Sequence, residues 1–203
     1  MARQPSSRPG QQDLRTEILD AARSIIAERG MAGLTMRAIA QRIGYTATTL
    51  YLYFAGKDAI FQALRDAAWK ELLAATTSGQ PHPHGRLETL RRQMRQYIDF
   101  GLREPDTYRL ALLMADAADV PGQGGQAEFQ EIRTGWLESL LRAAIGAGEI
   151  PPRDARLAAQ NGWCMLHGLV ALLITNPRFP WLDTSRLINA HIQHIVDGLL
   201  QEA

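Results

Sequence analysis

Apolar residues recur along this chain at intervals of three and four, the spacing that gathers them on one face of a helix. Leu14, Ile18, Ala21, Ala22, Ile25 and Ile26 predict a first helix over 13–29, capped by Asp13 and ended by Gly30. Ile60, Phe61, Leu64, Ala67, Ala68 and Leu72 predict another from Lys57 to about Thr77. Leu87, Leu90, Met94, Tyr97, Ile98 and Gly101 give a helix over 86–103, with Arg91, Arg92 and Arg95 mostly on the opposite face. A helix over 105–118 opens on Pro105, a residue suited to a first turn. Phe129, Ile132, Trp136, Leu140, Ala143 and Ala144 point inward from a helix over 126–147, and two more helices follow at about 153–175 and 184–201. Breaker clusters at 76–85 (TTSGQPHPHG), 121–125 (PGQGG) and 176–181 (NPRFPW) read as loops. No segment alternates with a period of two for long enough to make a strand. The predicted fold class is all-α, with about nine or ten helices and no repeats.

The stretch from Thr35 to Lys57, TMRAIAQRIGYTATTLYLYFAGK, reads as two short helices across a glycine. Thr35 caps the first through its hydroxyl, with Leu34 and Ile39 in hydrophobic-staple positions. Ala38, Ile39 and Ile43 give that helix its apolar face. Gly44 supplies the left-handed residue that ends it, and Thr46 caps the second helix, with Tyr45 and Leu50 as its staple. Leu50 and Phe54 are expected inside, leaving Ala47, Thr48, Thr49, Tyr51 and Tyr53 outside. No Asp or Glu occurs between Arg29 and Lys57, whereas Arg29, Arg37, Arg42 and Lys57 are basic. A polyanion meets nothing repulsive here. On spacing alone, a helix-turn-helix that enters the major groove and a structural helical hairpin are both open.

As a set these residues resemble the DNA-binding domain of the TetR family of transcriptional regulators. Gly30, Thr35, Ile39-Ala40, Gly44, Thr46, Leu50-Tyr51, Tyr53-Phe54 and Lys57 fall in that family's register over roughly residues 12–72. Two positions depart from it: Tyr45 stands where a small aliphatic residue is usual, and Gly56 where a capping serine is common. The resemblance implies a three-helix DNA-binding domain at 12–72 and an effector-binding, dimerising domain at 73–203. A polar tail, 1–11, precedes them and is expected to be disordered. On that reading Thr46, Ala47, Thr48, Thr49 and Arg37 are candidates for base edges or nearby contacts, and Thr35, Tyr51, Tyr53 and Lys57 for phosphate.

Charge supports the division. The net charge of the 203 residues is only +1. Residues 1–57, however, carry eight Arg and Lys against four Asp and Glu, and residues 58–203 carry fourteen against seventeen. Cys164 is the only cysteine, so no intrachain disulfide forms. With no signal-like N-terminus and no uninterrupted apolar run near the ~20 residues of a membrane span, a cytoplasmic protein that does not engage a membrane is expected.

In the body, the helices at about 153–175 and 184–201 carry more apolar surface than one core-facing stripe needs. They are expected to join two copies of the chain in a four-helix bundle, a homodimer that the resemblance also implies. Residues 161–168, NGWCMLHG, resemble the Trp-x3-His-Gly signature of one branch of the family's effector domains. Trp163 and His167 share a helix face, and Gly168 is expected to admit a neighbouring helix. Met94, Tyr97, Phe100, Met114, Phe129, Trp136, Trp163 and His167 are candidates to line an effector cavity, although aromatics at helical spacing also make ordinary cores. His82 with His84, and His191 with His194, lack the further ligands of a metal site, so neither a metal nor a cofactor is expected. There is no Gly-x-Ser-x-Gly, paired metal motif or phosphate loop, and no enzyme is expected. The leading expectation is a ligand-responsive repressor that binds a palindromic double-stranded operator as a dimer and is released by a small, largely apolar effector. A ligand-dependent activator and a non-specific architectural DNA binder are the alternatives.

Overall fold

The stripe on the first helix is the buried one. In α1 (Gln11–Arg29), Leu14, Ile18, Ala21, Ala22, Ile25 and Ile26 are buried, and Gly30 ends the helix at φ 67°. The computed structural model describes residues 11–80, 82, 84–113 and 126–201, with side chains described from 13 in the first helix and from 134 in the helix that begins at 126. Of the predicted tail at 1–11, Gln11 belongs to α1 and residues 1–10 lie outside the described residues, as do the loop at 121–125 and the stretch 114–118. Asp13 sits in the first turn of α1 rather than at its cap, because the helix begins two residues earlier than the pattern indicates.

After a 3-10 turn (Met31–Gly33) come α2 (Met36–Ile43), α3 (Ala47–Tyr51) and α4 (Lys57–Thr76). In α2 the buried residues are Met36, Ile39 and Ala40, while Ala38 and Ile43 are half-buried. The apolar face is therefore turned toward Met36 relative to the expected one. Next are α5 (Arg86–Arg103), α6 (Pro105–Tyr108) with a π-helical turn (Arg109–Leu113), α7 (Gln126–Gly146), α8 (Ala155–Thr175) and α9 (Thr184–Leu200). No strand occurs among the described residues. The chain divides into two compact units, 1–68 and 69–203, with the division inside α4.

In the first unit α1 packs on α2, and α2 on α3. In the second, α5 and α7 pack on α8, and α9 on α5. Gly101 is where α5 and α8 meet: a Cβ there would lie 2.4 Å from Val170 Cγ1 and 3.0 Å from the Tyr108 ring, so only glycine fits. α5 itself has no local cap, since Gly85 precedes it at φ 106°. Its N-terminus is closed from a distance by Glu149, whose carboxylate accepts the Arg86 and Leu87 amides at 2.8 and 2.9 Å and pairs with the Arg86 side chain. These bonds, that from Leu87 foremost, hold the Glu149 carboxyl below its ordinary pKa.

Further expectations are corrected. Among the described side chains of α7, Ala144 is buried as expected, but its inward companions are Leu137 and Leu141; Trp136 and Leu140 are half-buried and Ala143 is exposed, while the side chains of Phe129 and Ile132 lie outside the described residues. The described helix after Pro105 gives way at Arg109 to the π-helical turn instead of continuing as a regular α-helix. Gly168 admits no neighbouring helix of its own unit, since nothing among the described residues lies within 4 Å of a Cβ built there.

Gly168 instead belongs to an outward stripe of α8. Leu157, Met165 and Leu172 are exposed apolar residues at helical spacing, and Cys164 is exposed beside them. The opposite face, from Ala155 and Ala159 through Leu166, Leu169, Val170 and Leu173, is buried. With both faces apolar, α8 has the length and mean hydropathy, 1.4, of a membrane-crossing helix by composition alone. The second apolar side expected of α9 is reduced to Leu200: Ile188, Ile192, Ile195, Val196 and Leu199 are buried, and Ala190, His194 and Gly198 face outward.

Candidate nucleic-acid interface and body cluster

The turn between α2 and α3 is built by short-range chemistry. The Thr35 hydroxyl accepts the Ala38 amide at 3.0 Å, and Gly44, at φ 75°, returns its amide to Ala40 O. Tyr45 N also donates to Ala40 O, at 3.0 Å, closing the helix end. The Thr46 hydroxyl then accepts the Thr49 amide at 3.2 Å. Leu50 and Phe54 are buried beneath α3. Arg15 of α1 clamps the turn beyond, donating to Tyr53 O at 3.2 Å with its guanidinium 4.2 Å from the centre of the Phe54 ring.

These contacts fix which groups face out. Thr35, Arg37, Thr46, Thr48, Tyr51 and Lys57 are exposed; Ala47, Thr49 and Tyr53 are half-buried. Tyr51 retains 56% of its surface and Lys57 opens α4. Thr46 Oγ1 lies 2.9 Å from Thr49 Oγ1, so one hydroxyl donates to the other and the second keeps its proton for an outside acceptor. Arg42 is drawn away from this face: its guanidinium grips both oxygens of Glu28, and that hydrogen bonding lowers the pKa of Glu28. Arg37 remains unpaired among the described residues. It lines a cleft of about 300 Å³ with Ala40, Gln41, Tyr45 and Ala47. Tyr45, the departure from the family pattern, thus forms part of a wall beside Ala47.

In the body the structure brings together four of the eight predicted cavity residues. Tyr97 of α5 stacks on Trp136 of α7 with centroids 6.5 Å apart, and Trp163 and His167 of α8 stack at 5.5 Å. Tyr108 links the pairs: its hydroxyl is 2.9 Å from that of Tyr97 and 2.8 Å from His167 Nδ1. Burial, reinforced by Tyr97 beside it, pushes the Tyr108 hydroxyl far above the ordinary phenol range, so it stays protonated. Trp163 Nε1 is buried without an acceptor among the described residues. Met94 and Phe100 are buried on α5 but are not part of this chain of rings. Met114 and the side chain of Phe129 lie outside the described residues.

Sequence reading misses Arg15 and Tyr108. Tyr108 carried one signal, its place three residues after the helix-opening Pro105. Its inward aim comes from the irregular turn that follows, where Arg109 pairs with Asp106 and donates to Ile174 O at the end of α8.

Comparison with known proteins agrees with this geometry. Residues 18–64 match the family model for bacterial regulatory proteins of the tetR family, and residues 90–197 match the tetracyclin repressor-like C-terminal domain. The chain is 26% identical over 159 residues to the HTH-type transcriptional regulator BetI of Paraburkholderia phymatum, covering 76% of this chain and 78% of that one. It is 24% identical over 189 residues to the HTH-type transcriptional activator FasR of Mycolicibacterium smegmatis, covering 93% and 80%. A solved Rhodococcus sp. RHA1 protein of unknown function superposes with a TM-score of 0.80 at 21% identity, over 98% of this chain and 100% of that one. A TetR-family transcriptional regulator from Haemophilus influenzae superposes with a TM-score of 0.69 at 18% identity, over 96% and 100%. Matched along more than half its length by that C-terminal domain, and through its N-terminal helices by the DNA-binding one, the chain belongs to the TetR family of DNA-binding transcriptional regulators.

Proposed function

We propose that two copies of the chain join through α8 and α9, present their α3 helices to the halves of a palindromic operator, and are released by a small, largely apolar effector held in the body. The observation that carries this reading is the outward face of α3. Hydroxyls and small methyls stand exposed on a surface with no carboxylate from Arg29 to Lys57. Thr46, Ala47, Thr48, Thr49 and Arg37 address base edges; Thr35, Tyr51, Tyr53 and Lys57 address phosphates.

α3 has five residues and reads few base pairs. Two-fold pairing of heads about one turn of DNA apart, roughly 34–36 Å, doubles the site. The exposed apolar stripe of α8 supports the pairing, because covering it removes Leu157, Met165 and Leu172 from water. The ring cluster supports the effector: it gathers four aromatic rings and a histidine, and Trp163 Nε1 is a buried donor with no partner among the described residues. Effector and operator then weaken each other by one factor. The setting is the cytoplasm, where DNA and a reduced Cys164 coexist. A second reading, ligand-dependent activation, is favoured by the FasR relative, which is described as an activator.

Leu172→Glu places a charge in the α8 stripe and tests the pairing. The variant is expected to sediment as a monomer and to lose affinity for a palindrome while keeping its helix content. A variant that stays dimeric with full affinity refutes the α8 interface.

A further inference from the structure

The cleft of about 300 Å³ beside the turn is lined by α2, the turn itself and the first residue of α3, and its lining divides by chemistry. Arg37 and Gln41, about one turn apart on α2, are exposed and bring a guanidinium and an amide. Tyr45 and Ala47 are half-buried and bring an aromatic ring and a methyl group; Ala40, the fifth residue, is buried. None of the five is acidic. No Asp or Glu occurs between Arg29 and Lys57, and the carboxylate of Glu28 is already gripped by Arg42. A polyanion that approaches this cleft meets a cation and no repulsion.

The backbone that carries Tyr45 is held on both sides. The amides of Gly44 and Tyr45 both reach Ala40 O, the second at 3.0 Å. Thr46, the next residue, accepts the Thr49 amide at 3.2 Å and so fixes the start of α3. A tyrosine side chain adds only two rotatable bonds, so it presents a large contact surface at small entropic cost. Being half-buried, Tyr45 keeps part of that surface open to an outside group.

A phosphate needs donors alone; an aromatic ring and a methyl group add nothing to its binding. A thymine edge needs both kinds of surface, because in the major groove it shows the O4 acceptor and the C5-methyl group, which no other base carries. We infer that Tyr45 is a specificity-determining residue: with Ala47 it seats the C5-methyl of one thymine in each operator half-site, while Arg37 donates to O4 of that base. This rests on the proposed reading in which α3 meets base edges, and it adds a residue outside α3 to those that select the sequence.

The test uses the full-length wild-type chain, Tyr45→Val and Tyr45→Phe on the duplex that wild type selects from a random library. Each thymine is replaced in turn, in both half-sites at once, by deoxyuridine, which removes only the methyl group. Affinity is read by fluorescence anisotropy, with the salt slope measured beside it. Wild type is expected to lose about fourfold per half-site at one thymine, the worth of one methyl group returned to water. Tyr45→Val removes the ring and should lose the preference at that position, keep every other preference and leave the salt slope unchanged. Tyr45→Phe keeps the ring and should keep the preference; it also serves if the valine variant does not fold. A wild type indifferent to every deoxyuridine, a selected half-site without thymine, a Tyr45→Val chain with its preference intact or weakened alike on all sequences, or a Tyr45→Phe chain that loses the preference overturns the inference and leaves the operator reading standing. A wild type that selects no duplex at all removes the operator reading, and this inference with it.

Discussion

The hydroxyl of Tyr108 lies 2.8 Å from Nδ1 of His167, fifty-nine positions along the chain, and joins α6 to α8 inside the body. Because burial holds this phenol protonated well past its ordinary pKa near 10, its ionisation is linked to unfolding. The contribution is fully present below about pH 10, where the unfolded phenol is also protonated. It is lost as pH rises, because the unfolded chain gives up the proton and the folded one keeps it. Tyr108→Phe should cost ~1–3 kcal/mol at neutral pH by leaving its neighbours one bond short. It should also show a shallower loss of stability above pH 10, as measured by urea titration at several pH values. Equal slopes for the two chains would contradict the buried, protonated hydroxyl.

Glu149 works with the opposite sign. Its pKa is lowered by the Leu87 amide first and by Arg86 after it, so its contribution is present above the ordinary 4.5 and lost as pH falls through the lower folded value. Glu149→Gln should melt below wild type at pH 7. The two melting curves should converge in acid, where the wild-type side chain is protonated as well. A constant gap across that range would remove the charged cap from the account.

On DNA, Lys57→Ala should reduce the slope of log affinity against log salt by about one unit, the signature of one lost phosphate contact. Tyr51→Phe should weaken binding about equally on all sequences, since its exposed hydroxyl is assigned to phosphate. Fluorescence anisotropy across a salt series reads both. An unchanged slope for Lys57→Ala, or a Tyr51→Phe effect confined to one base position, would reassign these residues.

What the sequence disclosed was short-range. Thr35, Gly44 and Thr46 act on amides within three or four positions, so their roles are visible in order alone. The α1 stripe was equally legible, because one helix face met one core. Less was visible where distant segments decide. Arg92 read as a residue mostly opposite the apolar face of its helix, yet Gly79 lies against it and two of its guanidinium nitrogens are buried. The cap of α5 comes from Glu149, more than sixty residues away, and no local pattern announces it. The face of α7 turned toward Leu137 and Leu141 because periodicity alone does not say which side of an apolar helix its neighbours cover. Tyr108 depends on a π-helical turn, which breaks the very period used to read helices.

The central claim is that paired α3 helices read a two-fold site. Selection of bound duplexes from a random library by the full-length wild-type chain tests it most directly. The account predicts enriched sequences made of two inverted half-sites at a fixed separation of about one helical turn or a multiple of it. Enrichment of a lone half-site, or no enrichment over random duplex, would contradict it.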